Sequence, residues 1–127
     1  MMNGFLTYEN LEVWMEARKL VSQIYGVSKE FPKEELYGLT NQIRRAAVSV
    51  PSNIAEGCGR NTTKDKLHFF YISRGSLFEL ETQMFVALDL NYISEDDKVN
   101  LKAQIELCKK LLNGFINYNK SKLQTKA

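Results

Sequence analysis

A chain of 127 residues with two prolines, seven glycines and a quarter of its residues charged has the length of one ordinary domain, with no room for a second or for a long linker. Its two cysteines, Cys58 and Cys108, are too few for a disulfide framework and too far apart for a CxxC redox or zinc pair, so reduced thiols are expected. The net charge of +2 conceals a segregation, with net +4 from Asn41 to Arg74, net +6 from Lys98 to Ala127 and net −8 in the remainder; such blocks can steer a polyanion, dock one subunit on another, or simply solvate helix faces.

The amino terminus carries Glu9, Glu12 and Glu16 and no basic stretch ahead of an apolar core, so no signal peptide is expected. No uninterrupted apolar run approaches the roughly 20 residues of a membrane span, which makes the cytoplasm the expected location and a membrane no expected partner. Met1 to Thr7 and the residues beyond Lys120 read as frayed ends of a single domain over 1–127.

The first helical pattern covers 10–28. Val13, Ala17, Leu20, Ile24, Val27 and Phe31 recur at spacings of four and three, one stripe of a helix, and Phe31-Pro32 stops it because the residue before proline leaves helical angles. A second pattern covers 33–57. It opens with Glu34 and Glu35, where the helix dipole favours carboxylates, and carries the stripe Leu36, Leu39, Ile43, Ala46, Val50 and Ile54. Pro51 removes one backbone hydrogen bond and predicts a kink, with Ser49, Ser52 or Asn53 free to satisfy the carbonyl it leaves. Gly57-Cys58-Gly59 predicts a left-handed glycine stop.

Thr62 or Thr63 is the expected N-cap of a third helix over 63–90. Its apolar residues, Leu67 to Leu88, lie almost all the way round, so a helix that three neighbours can cover only in part predicts a subunit interface. Ser94 caps a fourth helix over 95–119, with Glu95, Asp96 and Asp97 in its first turn and Leu101, Ile105, Cys108, Leu112 and Phe115 as its stripe. Gly75 and Gly114 are small enough to predict close helix contacts. Four helices joined by short polar turns make an all-α, antiparallel, up-and-down four-helix bundle.

The run from Gln42 to Gly57, with Arg44-Arg45, Pro51-Ser52-Asn53 and Glu56 inside it and Arg60 after it, and the run Arg74-Gly75-Ser76-Leu77 with Glu79 to Gln83 carry a family likeness. From Leu11 to Asn117 the sequence resembles the four-helix-bundle family of 23S rRNA intervening-sequence proteins. The resemblance implies a bacterial protein assembled into a homo-oligomeric ring, commonly a pentamer, with a genetic connection to ribosomal RNA. More distant relatives are accessory subunits of diversity-generating retroelements, where they look like nucleic-acid and reverse-transcriptase adaptors.

Arg44 and Arg45 project about 100° apart on a helix, with Arg45 nearer the apolar stripe. An arginine near a core seam calls for a carboxylate, so Arg45 is expected to pair with Glu79 or Glu81 within or between subunits. Arg74 and Glu81, two turns apart, are expected as register-fixing charges. The alternative is phosphate contact by Arg44, Arg45 and Arg60. Lys98, Lys102, Lys109 and Lys120 fall in a sector of about 40° opposite the apolar side of the fourth helix, a stripe that an oligomer would repeat as a basic belt.

The single histidine, His68, excludes the paired Glu-x-x-His motifs of di-iron bundles, and no glycine-rich phosphate loop or nucleophile elbow is present. No catalytic residue, metal ligand or cofactor is therefore assigned. The expected function is a non-enzymatic, homo-oligomeric adaptor that binds RNA through phosphates without reading base sequence. The alternatives are a scaffold for another protein partner and an orphan carried with an rRNA intervening sequence.

Overall fold

Apolar side chains at alternating spacings of three and four residues produce four helices: α1 (Glu12–Ser28), α2 (Leu39–Cys58), α3 (Thr63–Asp89) and α4 (Glu95–Thr125). The structure, a computed structural model, describes residues 7–125, so the fraying expected of Met1 to Thr7 lies almost wholly outside the described residues. No strand occurs among them. α2 packs on α3, α3 on α4, α4 on α1 and α1 on α2, with no close backbone approach across either diagonal among the described residues, the square that short connections impose on successive antiparallel helices.

The caps follow the sequence at two of the helix starts. Thr62 Oγ1 accepts the Asp65 N–H at 3.1 Å to open α3. Ser94 Oγ accepts the Asp97 N–H at 3.0 Å, and Asp97 returns its carboxylate to the Ser94 N–H at 3.4 Å; each such cap is worth about 1 kcal/mol.

The start of α2 departs from expectation. Lys33–Glu35 forms a separate 3₁₀ turn, and the helix begins at Leu39. Glu35 is the reason: its Oε1 accepts the Leu39 N–H at 3.1 Å while Oε2 accepts the Tyr92 hydroxyl at 2.8 Å, so the α1–α2 connection is tied to the α3–α4 turn. Leu36, expected in the core stripe, is consequently 52% exposed. At the other end of the chain α4 outruns its expected end at 119 and reaches Thr125.

One continuous cluster of buried side chains fills the bundle, with Leu20, Ile24, Ile43, Ile54, Phe70, Leu77, Leu80, Met84, Ile105 and Leu112 fully enclosed. α2 and α3 pack tightly at Gly57, where an added Cβ would stand 2.5 Å from Phe70 Cε1 and 3.0 Å from the Lys66 carbonyl oxygen. Ser73 Oγ donates to the Val50 carbonyl at 2.8 Å and Ser49 and Ser76 share a hydroxyl hydrogen bond at 2.8 Å, so small polar residues satisfy this seam. The expected tight contacts at Gly75 and Gly114 are absent within the chain: a Cβ at either would meet nothing within 4 Å.

α2 continues through Pro51 without a break in its helical run. The carbonyl freed by that proline belongs to Ala47, whereas Asn53 donates to the Ser49 carbonyl and hydroxyl, both at 2.9 Å. The helix then closes at Gly59 with φ −85°, not with a left-handed glycine. The left-handed residue among those described is Asn91, φ 62°, in the α3–α4 turn, where an asparagine side chain tolerates that conformation.

α3 buries one face, including Leu67, Phe70, Leu77, Leu80 and Met84. Its outer face leaves Tyr71, Ile72, Phe78, Phe85 and Val86 exposed, Phe78 by 53%.

Candidate nucleic-acid interface

Two surfaces carry the cations singled out by the sequence, and they differ in what surrounds each charge. On α4 the lysines were expected on the solvent side; the structure turns Lys102, Lys109 and Lys120 toward α3. Lys109 Nζ lies 2.7 Å from Glu81 Oε1 and 3.2 Å from Glu106 Oε1. Lys102 Nζ lies 3.2 Å from Glu81 Oε2 and 3.7 Å from Glu106 Oε1, and Lys98 pairs with Glu95 at 3.4 Å. Aromatic rings of α3 complete the seam, with Lys109 4.3 Å from the centre of Phe78, Lys102 5.6 Å from Phe85 and Lys120 5.8 Å from Tyr71.

The side chains of Glu81 and Lys109 are only 16% and 14% exposed. Burial alone would raise the Glu81 carboxyl above its ordinary value, but hydrogen bonds from Lys109 and Lys102 outweigh it and hold the group low. Burial likewise opposes the charge on Lys109, and the hydrogen bonds to Glu81 and Glu106 prevail and raise it. A phosphate that drew either lysine away would leave a largely buried carboxylate short of a partner, which is costly. These lysines are committed to holding α3 against α4.

Within the chain the expected pairing of Arg45 with Glu79 or Glu81 does not form. Glu81 takes lysines, Glu79 accepts from Gln83 Nε2 at 3.1 Å, and Arg74 donates to Asn113 Oδ1 at 3.2 Å while lying 5.0 Å from the Tyr71 ring centre. Arg45, expected as the arginine nearer the apolar stripe, is instead the exposed one, lying well over 100° from that stripe on the helix, while Arg44 is half-buried and reaches α1. Arg60 is paired with Glu56 at 2.8 Å and stacked 4.5 Å from the Phe69 centre.

The second surface lies between α1 and α2. Ser28, itself buried, accepts the Arg44 Nε–H on its Oγ at 2.7 Å and donates to the Tyr25 carbonyl at 3.4 Å. The Arg44 guanidinium carbon sits 4.6 Å from the centre of the Tyr25 ring, so one edge and one face of the group are fixed while its two terminal nitrogens keep no partner among the described residues. Arg45 beside it is exposed and makes no hydrogen bond, ion pair or ring contact among the described residues. Both arginines line one concavity of about 510 Å³, together with Thr40, Asn41 and Ser49, and no carboxylate faces it. Tyr25, Ser28 and the α1–α2 connection were outside the sequence reading of this site because they contribute to it only across space.

No other feature suggests chemistry. Burial pushes the Cys108 thiol up to about 12 and also raises Cys58, against a smaller opposing effect of Lys66, so neither is an activated nucleophile. Among the described residues no group of three His, Cys, Asp or Glu side chains is arranged to hold a metal, and no helix is long and apolar enough to cross a membrane.

A family described as the 23S rRNA-intervening sequence proteins matches residues 9–114. The fold is similar to that of a Bacteroides thetaiotaomicron protein with unknown function from the S23 ribosomal protein family, with a TM-score of 0.76, 19% identity, and coverage of 82% of this chain and 97% of that one. At such identity the likeness concerns the helical fold alone. No curated protein matches the sequence.

Proposed function

The chain belongs to the family of 23S rRNA-intervening sequence proteins, and from that premise we propose that it is a non-enzymatic, homo-oligomeric adaptor that binds RNA through phosphate contacts at the Arg44–Arg45 concavity. The observation that carries this reading is the contrast between two cationic surfaces: Lys98, Lys102 and Lys109 of α4 are held by carboxylates, whereas Arg44 is fixed by Ser28 and Tyr25 with its terminal nitrogens open, beside an unpaired Arg45. A planar guanidinium held in place loses little freedom on meeting a phosphate, and its forked donors match two phosphate oxygens. RNA is the polyanion favoured by the family's association with an rRNA intervening sequence.

Self-association is part of the proposal. The outer face of α3 leaves Tyr71, Ile72, Phe78, Phe85 and Val86 partly exposed, apolar surface of the kind a subunit contact buries, and a ring, pentameric as the resemblance implies, would cover it. The same face favours the second reading, a scaffold for another protein.

Purification in low salt followed by light scattering and the ratio of absorbance at 260 and 280 nm separates the two readings. The adaptor predicts an oligomer that carries nucleic acid, releases it as salt rises, and retains much less when Arg44 and Arg45 are both replaced by alanine. An oligomer free of nucleic acid would refute the adaptor and leave the scaffold.

A further inference from the structure

The arginine concavity does not end at Arg44. A second one, of about 470 Å³, lies on its other side and is walled by Lys29 and Lys33. Leu36, Thr40 and Arg44 line both, so the two form one groove with four cations along it. Lys29 and Lys33 belong to the part of the sequence with net charge −8, yet no carboxylate lines either concavity. Glu30 lines the opposite groove between α1 and α4, and Glu35 is engaged with the Leu39 N–H and the Tyr92 hydroxyl.

The walls are not merely basic. Leu36 is 52% exposed in the shared centre of the groove, with Val48 and Tyr25 also partly open to solvent. Arg44 itself offers a flat surface there, one face of its guanidinium being covered by Tyr25.

We infer that this groove takes unpaired, single-stranded nucleic acid, with successive phosphates on Lys29, Lys33, Arg44 and Arg45 and a base laid against Leu36 and the open face of the Arg44 guanidinium. The inference rests on the reading proposed above and narrows its ligand. A duplex keeps its bases stacked inside and presents a phosphate rod, which leaves the apolar floor of a concave groove facing charge. A single strand turns its bases outward, and aromatic or guanidinium planes stack on them whatever their identity. Charge alone does not discriminate between the two forms; the apolar and planar floor does.

The test is fluorescence anisotropy with a short end-labelled RNA of mixed sequence, used as a single strand and annealed to its complement, against the wild-type protein, Arg44→Lys and Leu36→Ala. Arg44→Lys keeps the charge and removes the plane; Leu36→Ala changes an exposed side chain and spares the core. Thermal melting confirms that each variant is folded. The wild type is expected to prefer the single strand by about tenfold, the scale of one stacked base. Both variants are expected to lose most of that preference, Arg44→Lys with some loss of duplex affinity as well because it gives up the guanidinium fork.

Equal affinity for the two forms, or a preference that survives both substitutions, would overturn the inference and leave phosphate binding at the arginines standing. Absence of binding to either form in low salt would instead refute the adaptor reading itself, and the inference with it.

Discussion

Arg44 and Arg45 are neighbours in sequence and do different work because a helix turns about 100° between them. Arg44 folds back onto Ser28 and Tyr25 of α1, so Arg44→Ala is expected to lower stability by about 1 kcal/mol through the lost hydrogen bond. Arg45 makes no hydrogen bond, ion pair or ring contact among the described residues, so Arg45→Ala is expected to leave stability within about 0.5 kcal/mol and to weaken RNA binding. Urea unfolding of both variants checks this split; an Arg45 variant less stable than the Arg44 variant would contradict it. The arginine pair was legible in the sequence as a candidate for phosphate contact. Its surroundings were not: Ser28, Tyr25, Lys29 and Lys33 come from α1 and the connection after it, and only the angle at which α1 meets α2 brings them to the site. The pairing of Arg45 with Glu79 or Glu81 depends on partners that only the fold brings together, and within the chain the lysines of α4 reach Glu81 first.

At the scale of helices, the stripes and the caps at Thr62 and Ser94 could be read directly, because they depend on local spacing. The start of α2 could not, since Glu35 caps Leu39 with a side chain that also answers Tyr92, 57 residues away. Glycines test the packing most sharply. Gly57→Ala would drive a methyl into Phe70 and the Lys66 carbonyl and is expected to cost about 1–3 kcal/mol. Gly75→Ala and Gly114→Ala meet open space within the chain and are expected to stabilise the folded monomer unit by up to about 1 kcal/mol through helix propensity. Chemical denaturation of the three variants decides the matter; an equal loss in all three would show that the α2–α3 seam is not the tight one.

The α3–α4 clamp gives a pH prediction at the same scale. The Glu81 carboxyl lies below its ordinary 4.5 in the folded protein, because the hydrogen bonds from Lys109 and Lys102 exceed the opposing effect of burial. A depressed carboxylate contributes stability that is present above its unfolded value and is lost as pH falls through the folded one. Glu81→Gln should therefore reduce the fall in melting temperature between neutral pH and about pH 3. A fall as large as in the wild type would mean that Glu81 carries none of the acid sensitivity.

For the molecule as a whole, the charge blocks of the sequence were a poor guide to where charge is available. The carboxyl-terminal block of net +6 is partly spent on Glu81, Glu95 and Glu106, while the block of net −8 supplies two lysines to the α1–α2 groove. The fold was legible because helical periodicity is a local signal repeated over the chain. The availability of a charge depends on which helix stands opposite, and linear sequence does not record that. The apolar outer face of α3 was legible for the same reason as the fold; Phe78→Asp is expected to shift the protein in light scattering from an oligomer toward the mass of one chain, and an unchanged oligomer would place the subunit contact elsewhere.

The most direct test of the central claim is the salt dependence of single-stranded RNA affinity for three proteins: the wild type, Arg44→Ala/Arg45→Ala, and Lys102→Ala/Lys109→Ala. Each phosphate contact on a single strand contributes about 0.7 to the slope of log affinity against log salt. The arginine variant is expected to lose about 1.4 of that slope, equivalent to two contacts, while the lysine variant keeps the wild-type slope because its cations already face Glu81. A slope that falls in the lysine variant and persists in the arginine variant would contradict the account and return the binding surface to α4.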